Sequence, residues 1–448
     1  MDLRYTLEEE MRLERNRERA VSLVSGVGAT EPRGLCLTLG RVVVDPVSGD
    51  VVPYEGSLGL ESLFRRWLEL FPDDGLTMVD GRLVGARCEL TCREGATVRL
   101  SSTLGPGGQL EVSAGPSESV LDLLFAVETF DERFRRTCDA IGVEWQMVAL
   151  GLDPVPTSPR DVRLVPEGRF QLWDEYLSRT GRYAQDMMRL SASTHVSLGY
   201  DQDEPLADQF RLAVALGPLV SFLCDNVSSW RGLSADDTPR MARSRVWEHV
   251  DPQRCAVVPG TFKPGFSAET YVDWVASVPA VMFTPDDGEP FSTGSATGRD
   301  VMALRDLSEG ELLRLMTGVF PTVRLSGQMQ IRDADSMPPR LAAALAAFLK
   351  GIFFDEDAFH RAYDLLVRGR TDEEVGRAYA VLRSDGWGAS VYGIPVSTLV
   401  QRLVQLAENG LKDPQERTVF HALSSLWQAH LVPKDLYAPA GNRVAVCA

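Results

Sequence analysis

The strand-like parts of this chain are short and far apart, which limits the ways it can build a sheet. Residues 35–44 read LCLTLGRVVV, rich in β-formers, and the turn DPVSGD then leads into VVPY, so a strand pair is expected over about 35–54. Residues 76–113 alternate short strands with glycine-containing turns, the pattern of an antiparallel meander. Further strand signals stand at about 143–150, 190–200 and 322–332. Apolar residues at helical spacing fill the intervals, at 5–25 with Thr6 placed to cap, then 57–71, 117–141, 167–181, 204–224 and 267–276. After the last strand signal come only helices, at about 338–351, 356–367, 372–384, 395–407 and 414–430. The expectation is an α+β fold in which all these strands meet in one antiparallel sheet. It divides into an α+β part over 1–335 and a mostly helical part over 336–448 packed on it. The segment 284–298, TPDDGEPFSTGSATG, reads as a loop able to serve as a lid.

Composition removes several function classes. A formal charge of -17 over 448 residues repels a phosphate backbone, so nucleic acid is not expected as a main partner. The seven cysteines are scattered and match no zinc or haem spacing, which leaves them as reduced, buried small hydrophobes, Cys447 included. The first twenty residues carry an acid at position 2 and no apolar core, unlike a secretory signal. The apolar stretches 212–224 and 341–354 are shorter than the ~20 residues that span a bilayer. A cytoplasmic protein with no membrane partner is expected.

Four segments carry polar chemistry. In GPGGQLEVS (105–113) the glycines permit a tight turn before a strand that presents Gln109, Glu111 and Ser113 on one face. In SASTHVSLGY (191–200) alternation sends Ser191, Ser193, His195 and Ser197 to one face. MARSRVWEHVDPQR (241–254) holds Arg243, Arg245 and Arg254 around a tryptophan, dense enough to clamp a carboxylate or phosphate. FPTVRLSGQMQIRDADSMPPR (320–340) puts Gln328, Gln330 and Arg332 on one strand face before Asp333 and Asp335. Each has an ordinary reading when taken singly: a turn with a solvated acid, the wet side of a strand, a solubilising loop.

Together, in this order and at this separation, the four segments resemble the glutamate-cysteine ligase family of the plant, proteobacterial and actinobacterial type. The likeness extends to GVEWQMVALGLDP, VPEGRFQLWDEYL, GRYAQDMM and FSAETYVDWVASVPAVMF, and so to most of the chain. The resemblance implies a funnel of antiparallel strands of the glutamine synthetase type with helices outside. It also implies ATP and Mg²⁺ as cofactors, with the glutamate γ-carboxylate phosphorylated before an amine displaces phosphate. By the same resemblance Arg332 and Arg243 are the catalytic candidates. Gln109, Glu111, His195, Arg245, Arg254, Gln330 and Asp335 are the substrate-binding candidates, with Glu111 also a metal ligand.

The chain departs from the family pattern where metals are held. Thr38 and Gly40 stand where a Glu-x-Glu pair is expected on the first strand, and the nearest acids in sequence are Glu31 and Asp45. Gly105 replaces a glutamate in the turn before Gly107 and Gly108, and Gln330 replaces one two residues before Arg332. Cation ligands are therefore lost while the arginines are kept. One expectation is an ATP-dependent ligase joining glutamate to cysteine or another small amine. The alternative is a catalytically impaired homologue acting as partner of a metal-complete subunit or as a binder of a small amino acid, peptide or anion. An enzyme with metal-light chemistry in the same pocket is a further expectation.

Overall fold

Strand β1 (Leu35–Val44) organises the computed structural model, which describes residues 5–26, 34–155 and 158–436. Glu31 and Cys447 lie outside these residues. The sheet also contains β2 (Gly75–Val79), β3 (Arg82–Thr91), β4 (Thr97–Leu104), β5 (Leu110–Ser117), β6 (Gln146–Val148), β7 (Ser193–Leu198), β8 (Val323–Leu325) and β9 (Met329–Asp335). These nine strands form one antiparallel sheet in the order β8-β9-β7-β1-β5-β4-β3-β2, with β6 paired to the end of β1. The five widely separated strand regions read from the sequence thus meet in a single sheet. Its two edges, β2 and β8, do not join, so the sheet is open.

Alternation along β1 separates the two faces. Leu35, Leu37 and Leu39 are fully buried, as are Leu110, Val112 and Val196 on the flanking strands. Burying each such side chain is worth about 1.5–3 kcal/mol. They pack beneath helices Val120–Ile141, Leu206–Leu223 and Pro339–Phe353, in a continuous apolar cluster that also takes in the C-terminal helices. Helix Leu206–Leu223 has the length and apolar composition of a membrane span, yet 78% of it is buried inside the protein as a core helix. The opposite face of the sheet carries Thr38, Glu111, Ser113, Ser193, His195, Gln330 and Arg332, in register across neighbouring strands: Thr38 opposes His195 and Ser113, and Gly40 opposes Glu111.

A bulge in β9 changes which side chains share that face. Ile331 opposes Val196 and Ala334 opposes Thr194, so β9 spends one more residue than β7 over this interval. Alternation is thereby reset between Arg332 and Ala334, and Asp335 comes to stand opposite Ser193.

The expected helices are present with end shifts of a few residues, including Leu7–Ser25, which is capped by Thr6 in a reciprocal box with Glu9. Three helices were not anticipated: Ala242–Glu248, where a loop of arginines was read, and Gly298–Leu304 and Glu309–Met316. The last two open on Thr297 with Asp300 and Ser308 with Glu311, capping boxes visible in the sequence whose helices are too short to show a clear apolar period. Segment 284–298 is a loop only in part, because Phe291–Ser292 pairs with Met282–Phe283.

Helices Pro339–Phe353 and Val396–Gly410 meet at backbone contact, and a Cβ at Gly351 would lie 2.3 Å from the Ala407 carbonyl oxygen. Gly351→Leu is therefore expected to lower stability by about 1–3 kcal/mol, although leucine is the better helix former. Urea unfolding of the variant checks this. An unchanged midpoint would show that the two helices can part at no cost.

Candidate functional site

The polar face of the sheet is the floor of a cavity of about 730 Å³. Helix Gly168–Leu177 contributes Arg169, Phe170 and Trp173 to its walls, and the segment from Ala280 to Pro290 and helix Glu309–Met316 close other sides. On the floor, Thr38 and Ser113 share a hydrogen bond of 2.8 Å, and Ser193 and His195 share one of 2.7 Å. Arg324 and Arg332 both donate to Gln330 Oε1, at 2.8 and 2.7 Å. One neutral amide oxygen thus serves two guanidinium groups, an arrangement that leaves most of their charge unmatched. Three acids line the cavity, Asp80, Glu111 and Glu311, and only Glu111 stands on the sheet. Glu311 is already engaged by Arg305 and by the Ser308 backbone N–H.

Titration follows from this crowding of cations in a dry place. Burial pushes the Glu111 carboxyl up, opposed by the nearby Arg332, Arg169 and Arg324. Burial first, and then Arg332, Arg243 and Arg324, hold His195 well below its ordinary value, so it is neutral at physiological pH. Arg332 is pushed down by burial and by Arg324 and Arg243. A carboxylate or phosphate entering the floor would meet donors whose like charges repel each other and which hold no carboxylate of their own.

Of the residues singled out in the sequence, Gln109, Glu111, His195, Gln330 and Arg332 line this cavity. Gln109 is 3% exposed and braces the turn before β5, accepting from Gly107 N at 2.8 Å and donating to the Met188 carbonyl at 3.2 Å. Arg243 instead lines a smaller adjoining cavity of about 400 Å³, which shares Arg332, Trp247 and Phe320 with the larger one. Arg254, Arg245 and Asp335 line neither cavity. Arg254 is 1% exposed and donates to Asp251, to the Gly318 and Pro279 carbonyls and to the Tyr176 hydroxyl, with the rings of Trp173 and Tyr176 against it. Its role is to hold the wall together. Asp335 stands opposite Ser193 after the β9 bulge but is covered by the chain at Asn226, accepting from Asn226 N at 2.8 Å, and burial pushes its pKa up. Arg324 was overlooked, although it faces Gln330 across the β8–β9 hairpin and alternation from Arg332 would have placed it on the same face.

The donor set does not fit two or three divalent cations. Among the described residues no group of three or more His, Cys, Asp or Glu side chains is placed to hold a metal ion. Thr38 lines the floor but Gly40 and Gly105 offer no side chain, and a Cβ at Gly105 would lie 2.8 Å from Gln109 Oε1. Asp45 caps the turn after β1, accepting from Val47 N at 2.8 Å, and does not line the cavity.

A family model, glutamate-cysteine ligase family 2, matches residues 42–410, more than three-quarters of the chain. The chain belongs to this family. Glutamate-cysteine ligase B, chloroplastic, of Oryza sativa subsp. japonica is 26% identical over 318 residues, covering 70% of this chain and 63% of the rice protein. The chloroplastic glutamate-cysteine ligase of Medicago truncatula is 28% identical over 275 residues, 59% of this chain and 52% of that one. The chain therefore spans between half and two-thirds of the length of these relatives. A bifunctional glutathione synthetase from Pasteurella multocida superposes on 97% of the chain and 51% of its own, with a TM-score of 0.44 and 11% identity. The family comprises ATP-dependent ligases that use Mg²⁺.

Asp333 supplies a test of the buried electrostatics. It is 7% exposed, accepts from the Tyr379 hydroxyl at 2.6 Å, and burial raises its pKa from 3.8 to about 6, against the pull of Tyr379, Arg243 and Arg332. Because the folded value is the higher one, the group contributes stability below pH 3.8, and that contribution is lost as pH climbs through about 6. Asp333→Asn keeps an acceptor for Tyr379 and has no charge to bury. Its stability relative to wild type is expected to rise by about 2 kcal/mol between pH 4.5 and 8, measured by urea unfolding. A pH-independent difference would mean that Asp333 titrates normally.

Proposed function

We propose that the larger cavity binds a small carboxylate ligand of glutamate-like chemistry, and that in this family member ATP-driven ligation is weak or lost. One observation carries the reading: Arg324 and Arg332 stand on the floor with a neutral glutamine between them, while among the described residues Glu111 is the only sheet carboxylate that lines the cavity. The site is equipped to attract an anion and poorly equipped to attract the cations that normally accompany a triphosphate. The chain then acts as a binding protein for an amino acid, small peptide or other small anion, or as the partner of a metal-complete homologue.

A second reading, an active ligase forming a γ-glutamyl amide from glutamate and cysteine or another small amine, is favoured by the family match over residues 42–410. It would require metal binding by a different set of ligands. Neither reading depends on a nucleic-acid or membrane partner.

Two experiments separate them. Calorimetry with Mg-ATP, together with phosphate release in the presence of glutamate and cysteine, is expected to give weak nucleotide binding and little turnover. Tight stoichiometric Mg-ATP binding, or vigorous γ-glutamyl amide formation, would establish the second reading in place of the first. Raising Thr38, Gly40 and Gln330 together to Glu should recover Mg²⁺-dependent nucleotide binding, since a Cβ at Gly40 makes only ordinary contacts of 3.4 Å and longer.

For the anion, Arg332→Ala is expected to leave the unfolding midpoint near that of wild type, because the side chain faces the cavity and gives up only its bond to Gln330. Glutamate affinity should fall by about 1.5–3 kcal/mol, as for loss of a charge-assisted contact. Titration of glutamate into both proteins gives the answer, and equal affinities would remove Arg332 from the binding site.

A further inference from the structure

The floor of the larger cavity carries a hydroxyl already bonded to an imidazole. Ser193 Oγ and His195 Nε2 lie 2.7 Å apart on one face of β7, and both residues line the cavity. Residues two apart on a strand share a face, and a hydroxyl within hydrogen-bond reach of a base is what nucleophilic catalysis asks for. His195 is neutral, because burial and then Arg332, Arg243 and Arg324 hold its pKa well below its ordinary value. With its one proton on Nδ1, the ring presents Nε2 as an acceptor for the Ser193 hydroxyl. A neutral imidazole can take a proton, whereas a charged one can only give it.

The strand register shows where a substrate has to reach. Ile331 opposes Val196 and Ala334 opposes Thr194, so the bulge in β9 sets Arg332 across from His195. Thr38 stands across from His195 on the other side, on β1. Ser193 is two residues further along β7, roughly 7 Å away at ~3.3 Å per residue. A molecule whose carboxylate binds Arg332 therefore brings to Ser193 a carbonyl a few bonds further along its own chain. Charge decides when the pair works. The arginines that keep His195 neutral also disfavour the imidazolium that forms when Ser193 gives up its proton. A carboxylate on Arg332 offsets that field, so proton transfer becomes favourable only with an anionic substrate in place. The positive field that remains favours the oxyanion.

We propose that Ser193 and His195 form a hydrolytic pair acting on small amides or esters that carry a free carboxylate, γ-glutamyl amides among them. Ser193 Oγ attacks the carbonyl carbon while His195 Nε2 takes its proton. The C–N or C–O bond to the leaving group then breaks, and the proton passes from His195 to the departing amine or alcohol. Water next attacks the acyl group on Ser193 and gives its proton to His195. The bond to Oγ breaks, Oγ recovers that proton and the free acid leaves. Water is the only co-reactant. The inference rests on the reading of the larger cavity as a carboxylate site and adds a reaction to it.

The test uses the full chain in EDTA without nucleotide. L-γ-glutamyl-p-nitroanilide is the substrate, with 4-aminobutyryl-p-nitroanilide, which lacks the carboxylate, beside it. Release of p-nitroaniline is expected from the first, about tenfold or more faster than from the second, as for one lost charge-assisted contact. Turnover should fall by about a hundredfold or more in Ser193→Ala and in His195→Gln, with thermal unfolding as the control for folding. A fluorophosphonate should label the wild-type chain at Ser193, located by mass spectrometry, and this readout needs no variant. No turnover of the γ-glutamyl anilide, no label at Ser193, turnover unchanged in folded Ser193→Ala, or equal rates on the two anilides would each overturn the proposal. Titration of glutamate into the wild-type chain separates the two failures. Glutamate binding without hydrolysis ends the hydrolytic pair alone, whereas absence of glutamate binding ends the carboxylate site and the pair with it.

Discussion

Strand β1 has to satisfy hydrogen-bonding partners on both of its edges, and the rest of the molecule is arranged around that demand. Neither of its partners β5 and β7 is joined to it by a hairpin, since both lie far along the chain, and β6 takes over where β5 ends. Three leucines point from one side of this strand into the helices, and Thr38 points from the other into the cavity. The core and the site are thus two faces of the same ten residues. Disturbing the register by one residue would place leucines in the cavity and a hydroxyl in the core, an exchange that the buried face forbids.

The floor of the larger cavity gathers arginines with few acids to answer them. A guanidinium cannot shed its proton as a buried lysine can, so the charge persists in the low-dielectric floor and has to be answered by something. Here the answer within the chain is partial: Gln330 offers one oxygen to two arginines, Glu111 is shifted toward its neutral form by burial, and His195 stays uncharged. An unmatched buried cation costs stability until a ligand arrives, which makes ligand binding and folding stability two readings of one quantity.

Much of the fold was legible in the sequence because it rests on local pattern. Alternation gave the polar face of each strand, so Glu111, His195, Gln330 and Arg332 could each be placed on such a face, and the long amphipathic helices announced their own period. What stayed hidden depends on contacts between distant parts. The β9 bulge has no sequence signature, and it resets the alternation so that Asp335 comes opposite Ser193, where the chain at Asn226 covers it. Arg254 and Arg243 sit in one motif, yet packing sends the first into the wall and the second into a separate cavity. Short helices such as Gly298–Leu304 offer only a cap to read, and the cap at Thr297 was there to be read.

Arg254 has a mechanical meaning that its burial alone does not convey. Its donors join four pieces of chain: Asp251 just before it, the Tyr176 hydroxyl on helix Gly168–Leu177, the Pro279 carbonyl ahead of the Ala280–Pro290 wall, and the Gly318 carbonyl after helix Glu309–Met316. Three of those pieces also supply lining of the larger cavity, through Trp173, Ala280 and Gly318. A rim tied at one hub cannot flex segment by segment. Loss of this one side chain would therefore loosen several stretches of the wall at once, and not one of them alone.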